Sequence, residues 1–297
     1  MRLPSPLEAL PCPADGPRLL IKRDDLIHPV VSGNKWRKLG LLLPDLQQRA
    51  YPGVISFGGP FSNHLYALAA AGPMYGLQTA AIVRGTHADV ENSTLAYVRA
   101  QGMRLHTVSK AIYNQGLSAP EIQDIFKQYP DWFHLPEGGA GPWAVEGCAL
   151  LAEEILAQLR AMDCPARAPV YIAVAAGSGA TAAGLLRGLA PYPNTRLLVF
   201  PAAHYGVSVE SVQEMAGIAS PMHWETQFTG TRFAQPEAAV LAYALDFQQQ
   251  TGIALDPIYT CRVLYGLSVL QAEGFFEKNA WVVAVHSGGL RALGQMS

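Results

Sequence analysis

The sequence carries little charge. Only 15% of its 297 residues are Asp, Glu, Lys or Arg, against about 25% in an average soluble domain. The signs nearly cancel, with 21 basic and 23 acidic residues. A nucleic-acid binder would show a basic excess or stripe, and none is present. Half of the residues are hydrophobic, which excludes a disordered chain. The four cysteines (Cys12, Cys148, Cys164, Cys261) are widely spaced and form no CxxC pair. That pattern points to reduced thiols in a cytoplasm, not to a disulfide framework or a zinc site. The 8 histidines form no HxH or HExxH spacing, so no catalytic metal is indicated.

Long Leu/Ile/Val-dense runs are also missing. Ser56 to Val83 and Ala168 to Leu186 have no charge and are long enough to span a bilayer. Each, however, contains several glycines, a proline and scattered small polar residues, so both read as buried strand–loop–helix units, with no membrane role. Pro4, Pro6, Glu8, Pro11 and Pro13 leave no signal-peptide core in the first 25 residues. The length allows one large domain or two.

What is there is alternation. Strand-like runs at Arg18–Arg23, Val54–Phe57, Gln78–Val83, Met103–Val108, Val170–Ala175, Arg196–Phe200 and Trp281–Val285 are separated by helical patterns. One helix is predicted over Lys35–Arg49, others from Asn63 to about Ala71, near Val90–Ala100, and over Trp143–Met162, Ala180–Leu189, Ser208–Ala216, Glu237–Gln250 and Arg262–Glu273. Repeated βα units predict an α/β protein with parallel, open, twisted sheets flanked by helices. Such sheets bind ligands at the carboxyl ends of their strands.

The glycine-rich segments sit at those ends. Gly177-Ser178-Gly179-Ala180-Thr181 follows a strand and opens a helix. Backbone N–H groups there make an anion site, to which the Ser and Thr hydroxyls add donors. It is not a Walker loop, which needs a lysine. It is not a dinucleotide fingerprint either, because the next strand ends in Phe200-Pro201-Ala202 with no acid. A phosphate monoester cradle remains, beside the plainer reading of a glycine turn. Lys35 is one of only six lysines and opens a helix after Gly33-Asn34. The positive helix end and the nearby Arg37 would lower its pKa, which suits Schiff-base chemistry; the bland alternative is a solvated basic turn. Ser62-Asn63-His64 reads either as an ordinary N-cap or as a carboxylate-binding helix terminus with Ser62 as a proton-transfer hydroxyl. No Gly-x-Ser-x-Gly elbow supports a serine hydrolase. Glu137-Gly138-Gly139, Asp256-Pro257-Ile258-Tyr259-Thr260 and Ser287-Gly288-Gly289 are tight turns or binding loops.

Together, in this order, these motifs resemble the 1-aminocyclopropane-1-carboxylate deaminase/D-cysteine desulfhydrase family of tryptophan-synthase-β-like pyridoxal-phosphate enzymes. The match runs from Ile21-Lys22-Arg23-Asp24-Asp25 to the C-terminus. The resemblance implies two domains with pyridoxal 5′-phosphate in the cleft between them. The larger, phosphate-binding domain would comprise 1–36 and 138–297, and the smaller α/β domain 37–137. Lys35 would carry the cofactor as a Schiff base, with Asn34 beside it. Asn63 would bond the cofactor's 3′-oxygen. Gly177, Ser178, Gly179, Ala180 and Thr181 would hold the phosphate. Tyr259 would lie beside the ring as an acid or base, and Thr260 and Ser287 near the pyridine nitrogen. Ser62, Asn63, His64 and Phe233 would face a small amino-acid substrate. Lys35, Ser62 and Tyr259 are the expected catalytic residues, and a cytoplasmic homodimer is implied.

The Tyr259-Thr260 pair tilts this reading towards D-cysteine desulfhydration, because cyclopropane deaminases carry Tyr-Glu there. β-Elimination would give pyruvate, ammonia and sulfide. The alternatives are hydrolytic deamination of the cyclopropane acid to 2-oxobutyrate and a pyridoxal-phosphate-binding protein of low turnover. Departures from the family pattern near Phe61, Phe233 and Cys261 motivate the last: Phe61 replaces Gln, Cys261-Arg262 replaces Gly-Lys, and Phe233 replaces an active-site tyrosine; Ala140-Gly141 also stands where the family has Ser-Asn.

Overall fold

A computed structural model describes residues 1–12, 16–85, 92–204, 206–230 and 236–290. The chain divides into two compact units, one of Met1–Asn34 with Val145–Ser297 and the other of Lys35–Ala144. The division falls at 34/35 and 144/145, where the motif order had suggested 36/37 and 137/138.

The first unit is built on a six-stranded sheet. Its strands are β1 (Leu7–Ala9), β2 (Arg18–Lys22), β7 (Val170–Ala176), β8 (Thr195–Pro201), β9 (His223–Trp224) and β10 (Trp281–Val285) in the order 1-2-10-7-8-9. All pairings are parallel except β1 with β2. Its helices are α8 (Ala180–Leu189), α9 (Val209–Ala216), α10 (Ala238–Thr251), α11 (Thr260–Ala272) and most of α7 (Pro142–Ala161). Every residue of β7 is buried, as expected for a central parallel strand covered on both faces. One apolar layer joins α7 and α8 to the sheet through residues such as Leu151, Ile155, Leu185 and Val174. The opposite layer joins α10 and α11 through Phe247, Leu264, Leu267 and Leu198.

The second unit holds β3 (Gly53–Gly58), β4 (Gln78–Arg84), β5 (Arg104–Val108) and β6 (Phe133–Leu135), all parallel, in the order 5-4-3-6. Its helices are α2 (Leu42–Gln48), α3 (Asn63–Met74), α4 (Ser93–Ala100), α5 (Lys110–Gln115), α6 (Pro120–Phe126) and most of α1 (Asn34–Leu39). The single helix predicted over Lys35–Arg49 is two helices. Pro44 has no N–H to give to the Gly40 carbonyl, so the ladder must break there, and Pro44 then occupies the first turn of α2, where no donor is needed. The short β1, β6 and β9 and the helices α5 and α6 lie outside the elements expected from the pattern. Among the described residues no helix is long and apolar enough to cross a membrane.

The two uncharged runs become β3–α3–β4 and β7–α8, which are interior. The low overall charge does not mean that the interior is free of charge. Lys22 is fully buried, and Asp24, Asp25, Arg37, Lys38, Asp256 and Arg262 are buried too. These charges carry hydrogen-bonded partners: Lys22 bonds Glu154, Gln158 and the Ser5 carbonyl, and Arg262 bonds Glu237 and the Phe228 carbonyl. Paired burial is the form in which an interior tolerates charge.

Candidate active site

In the first unit the site grows from the carboxyl ends of β7 and β10. β7 runs into Gly177-Ser178-Gly179, and α8 begins at Ala180. Gly179 has φ +82°, and a Cβ there would stand 2.7 Å from Met215. Glycine alone meets both conditions. The first N–H groups of this ten-residue helix have no intrahelical acceptor, and the Gly179 cap supplies no side chain to them, which suits an anion site. The Asn34 amide donates to Thr181 Oγ1 at 3.2 Å. The threonine oxygen is thus an acceptor for Asn34, and its own hydrogen remains to donate to an anion.

Gly33 brings the Asn34–Lys35 segment in. A Cβ on Gly33 would lie 1.9 Å from the Ser287 carbonyl oxygen, and its φ is +61°. That carbonyl accepts from the Asn34 N–H at 3.2 Å. The Gly33 N–H donates to the Asp24 carbonyl at 2.8 Å, and the Asp25 N–H to the His286 carbonyl at 3.1 Å. The Lys22–Asp25 stretch therefore acts as a frame for Gly33-Asn34.

Tyr259 and Thr260 are set by Asp256. This carboxylate, 1% exposed, accepts from the N–H groups of Ile258 (3.2 Å), Tyr259 (2.7 Å) and Thr260 (2.8 Å). It takes up donors that α11 leaves unpaired at its start. A Cβ at position 177 would stand only 3.3 Å from the Tyr259 ring, so the ring would have to give by a few tenths of an ångström. The ring thus packs on the glycine loop. Thr260 Oγ1 is buried without a hydrogen-bond partner. His286 completes the region: its Nε2–H donates to the Ala254 carbonyl at 2.9 Å, and its Nδ1 accepts from the Gly288 N–H at 3.3 Å. In the sequence Asp256 stands only as a loop residue, and His286 only as the residue before the Ser287-Gly288-Gly289 turn. The signal for Asp256 was the Asp-Pro pair just ahead of a helix, an ordinary capping arrangement.

The second unit holds Lys35, Ser62, Asn63 and His64. Ser62 is the N-cap of α3, accepting from the Leu65 N–H at 3.2 Å. Ser62, Asn63 and Lys35 are half-buried, and Phe61 is exposed at 58%. His64 is buried beneath them, with Nε2 at 2.9 Å from Ser56 Oγ. The Ser56 hydroxyl gives its hydrogen to the Leu135 carbonyl at 2.9 Å, so Nε2 carries the imidazole hydrogen. Nδ1 is then a bare acceptor, buried without a partner. Burial, and then Lys35 and Lys38, push the His64 pKa down to about 3. Phe233 lies outside the described residues.

The cysteine and arginine that replace Gly-Lys have structural places. Cys261 is fully buried, its thiol 3.7 Å from the Val240 and Pro257 carbonyls. Burial, and then Asp256, push its pKa up to about 12, which makes it inert. Among the described residues no group of three or more metal-ligating side chains could hold an ion.

The first unit thus holds a glycine turn at a helix start, an arrangement able to receive an anionic group such as a phosphate, and a lysine follows Gly33-Asn34 directly in the chain. The chain belongs to the pyridoxal-phosphate-dependent enzyme family, whose model matches residues 2–288. It is 27% identical over 315 residues to a D-cysteine desulfhydrase from Serratia proteamaculans, covering 97% of this chain and 92% of that one. It is also 27% identical over 317 residues to the mitochondrial bifunctional D-cysteine desulfhydrase/1-aminocyclopropane-1-carboxylate deaminase of Arabidopsis thaliana, covering 98% and 77%. A crystal structure of an ACC deaminase homologue superposes with a TM-score of 0.79 at 25% identity, over 98% of this chain and 92% of that one. The residues present fit the cofactor. The cradle suits its phosphate, and the unpartnered Thr260 hydroxyl has spare hydrogen-bonding capacity for a ring nitrogen.

Proposed function

We propose that this chain is a pyridoxal-phosphate-dependent lyase that cleaves a small amino acid, D-cysteine or a close analogue, to pyruvate, ammonia and sulfide. The observation that carries the reading is Thr260. Its backbone is fixed by Asp256 and its buried hydroxyl is unpartnered. A neutral hydroxyl next to the pyridine nitrogen keeps that nitrogen weakly basic, where a carboxylate would keep it protonated. When bound, pyridoxal phosphate supplies an electron sink for negative charge at the substrate α-carbon. A moderate sink suffices for β-elimination, in which the Cα–H and Cβ–S bonds break and sulfur leaves as sulfide. The three-carbon remainder is hydrolysed to pyruvate and ammonia.

In this reading Lys35 attaches the cofactor covalently, with Asn34 beside it. Gly177, Ser178, Gly179, Ala180 and Thr181 bind the phosphate, and Asn63 the 3′-oxygen. Ser287 and Thr260 approach the ring nitrogen. Ser62 holds the substrate carboxylate, with His64 and Phe233 near the substrate, and the Ser62 and Tyr259 hydroxyls are the candidates for moving protons. The unit of 1–34 and 145–297 is the phosphate-binding domain, and the enzyme works as a cytoplasmic homodimer. The names of the Arabidopsis relative and of the superposed structure favour deamination of 1-aminocyclopropane-1-carboxylate as the second reading.

An absorbance band at roughly 410–430 nm is expected on loading with pyridoxal phosphate, together with a borohydride-reducible attachment that Lys35→Ala abolishes. An adduct persisting on another lysine in that variant would overturn the assignment. Pyruvate with sulfide from D-cysteine supports the lyase. 2-Oxobutyrate from the cyclopropane acid supports the second reading, and silence on a panel of D- and L-amino acids shows a low-turnover binder.

A further inference from the structure

A second polar cluster lies at the carboxyl edge of the four-stranded sheet, and no role above uses it. β4 ends at Arg84, one residue past Val83, which pairs with the last residue of β3, Gly58. The Arg84 Nη2 atom lies 3.4 Å from the position a Cβ on Gly59 would take. Gly59 opens the turn that delivers Ser62, whose N–H donates to the Gly59 carbonyl at 3.1 Å. The guanidinium therefore sits against the turn that begins α3. Its Cζ also lies 5.5 Å from the centre of the Tyr113 ring, a cation–π contact.

Arg84 is half-buried, and among the described residues it makes no ion pair and no hydrogen bond. An arginine in this position normally finds an acceptor, because its five N–H donors lose water on burial. The Tyr113 hydroxyl beside it is buried, with the Glu137 carboxylate as a neighbouring acceptor. Burial, and then the neighbouring Glu137 carboxylate, raise the pKa of that phenol while Arg84 lowers it; the net effect is a rise. It stays protonated and able to donate. Glu137 itself is exposed and forms no ion pair with Arg84.

We propose that Arg84 binds a carboxylate of the amino-acid substrate held at the Ser62–Asn63 turn, with the Tyr113 ring as its rest. The planar fork of a guanidinium matches a carboxylate in two parallel hydrogen bonds. This rests on the amino-acid lyase reading above. The carboxylate is either the one on the α-carbon or one in the side chain, and the chemistry of recognition is the same.

The test uses the cofactor-loaded full chain and reads binding, not turnover. Dissociation constants of the D- and L-forms of alanine and aspartate are measured from the change in visible absorbance, for wild type, R84Q and R84K. R84Q is expected to weaken binding at least tenfold and R84K about threefold, the latter keeping charge but losing the fork. Cofactor content and thermal midpoint stay at wild-type values. Weakening of both amino acids assigns the α-carboxylate, and weakening of aspartate alone assigns a side-chain carboxylate. Constants within twofold of wild type overturn the proposal. So does weakening that scales with lost cofactor or lost thermal stability in both variants. A wild-type chain that takes up no pyridoxal phosphate would sink the lyase reading instead. Arg84 is then tested by calorimetric titration of the unloaded chain with acetate and succinate, where R84Q is expected to lose the same tenfold, and an unchanged titration overturns it.

Discussion

Two buried histidines, His64 in the first turn of α3 and His286 just past the end of β10, belong to different units and are satisfied to different degrees. Both carry their hydrogen on Nε2. His286 is bonded at both nitrogens, to the Ala254 carbonyl and the Gly288 N–H. His64 is bonded at one, to Ser56, and leaves Nδ1 bare. Each bond of His286 fastens a loop: one end holds the segment before Asp256, the other the Ser287–Gly288 turn. His64 bonds a side chain that already has another acceptor in Leu135. Removing the first orphans two backbone groups, whereas removing the second orphans none. Burial alone does not measure what a polar side chain contributes; what is left behind when it goes does.

The largest expected effect is therefore at His286. His286→Leu leaves the Ala254 carbonyl and the Gly288 N–H without partners, at about 1–3 kcal/mol for each buried group. A loss of about 3 kcal/mol in urea unfolding is expected, with weaker uptake of pyridoxal phosphate because Ser287 is displaced. The same change at His64 should cost about 1 kcal/mol at pH 7.5. Equal losses at the two positions would break the contrast.

The next effect concerns pH. His64 has a native pKa near 3, against about 6.5 in an unfolded chain. Below pH 6.5 the unfolded state takes up a proton that the native state does not. Stability then falls as pH falls, at up to about 1.4 kcal/mol per unit from this group, until the native pKa is reached. Between pH 7 and pH 5 the wild type should lose about 2 kcal/mol more than His64→Leu. Urea midpoints measured at several pH values would show it, and parallel pH profiles in the two proteins would show that His64 ionises freely.

How much of this was legible in the sequence depends on how local the cause was. β3, β4, β7 and β10 follow from apolar runs bounded by glycine, and their ends fall within two residues of expectation. β6 and β9 have three and two residues, too few for a periodicity, and exist because a neighbouring strand offers an edge. β1 is an antiparallel edge strand bracketed by prolines. The break at Gly40 was legible in Pro44 but was masked by the helical spacing of Leu39, Leu42, Leu43 and Leu46. In the site, the Gly33, Gly177 and Ser287 turns stand out by composition. The structure brings Asn34, Thr181, Tyr259 and Ser287 together around the glycine loop. The supporting groups do not stand out: Asp256, His286 and Ser56 act through partners 2 to 79 positions away. Only the folded chain displays those pairings. The buried charges were missed for the same reason, since Lys22 meets Glu154 across 132 positions.

The smallest expected effect separates the two contributions at Gly139. This residue has φ +71°, and a Cβ on it would stand 3.1 Å from His64 Cε1 and 3.2 Å from Nδ1. Gly139→Ala therefore meets a backbone cost of about 1 kcal/mol for a left-handed alanine, plus a crowding cost that falls on the imidazole. Because His64 is held from one side only, it can yield by a few tenths of an ångström. The crowding cost should be below about 1 kcal/mol, giving a total of about 1.5 kcal/mol. A double-mutant cycle reads the two parts. In a His64→Ala background only the backbone cost should remain, so the coupling energy between positions 64 and 139 is the crowding term. A coupling above about 2 kcal/mol would mean that His64 is as rigidly fastened as His286, and that its bare nitrogen reflects constraint, not slack.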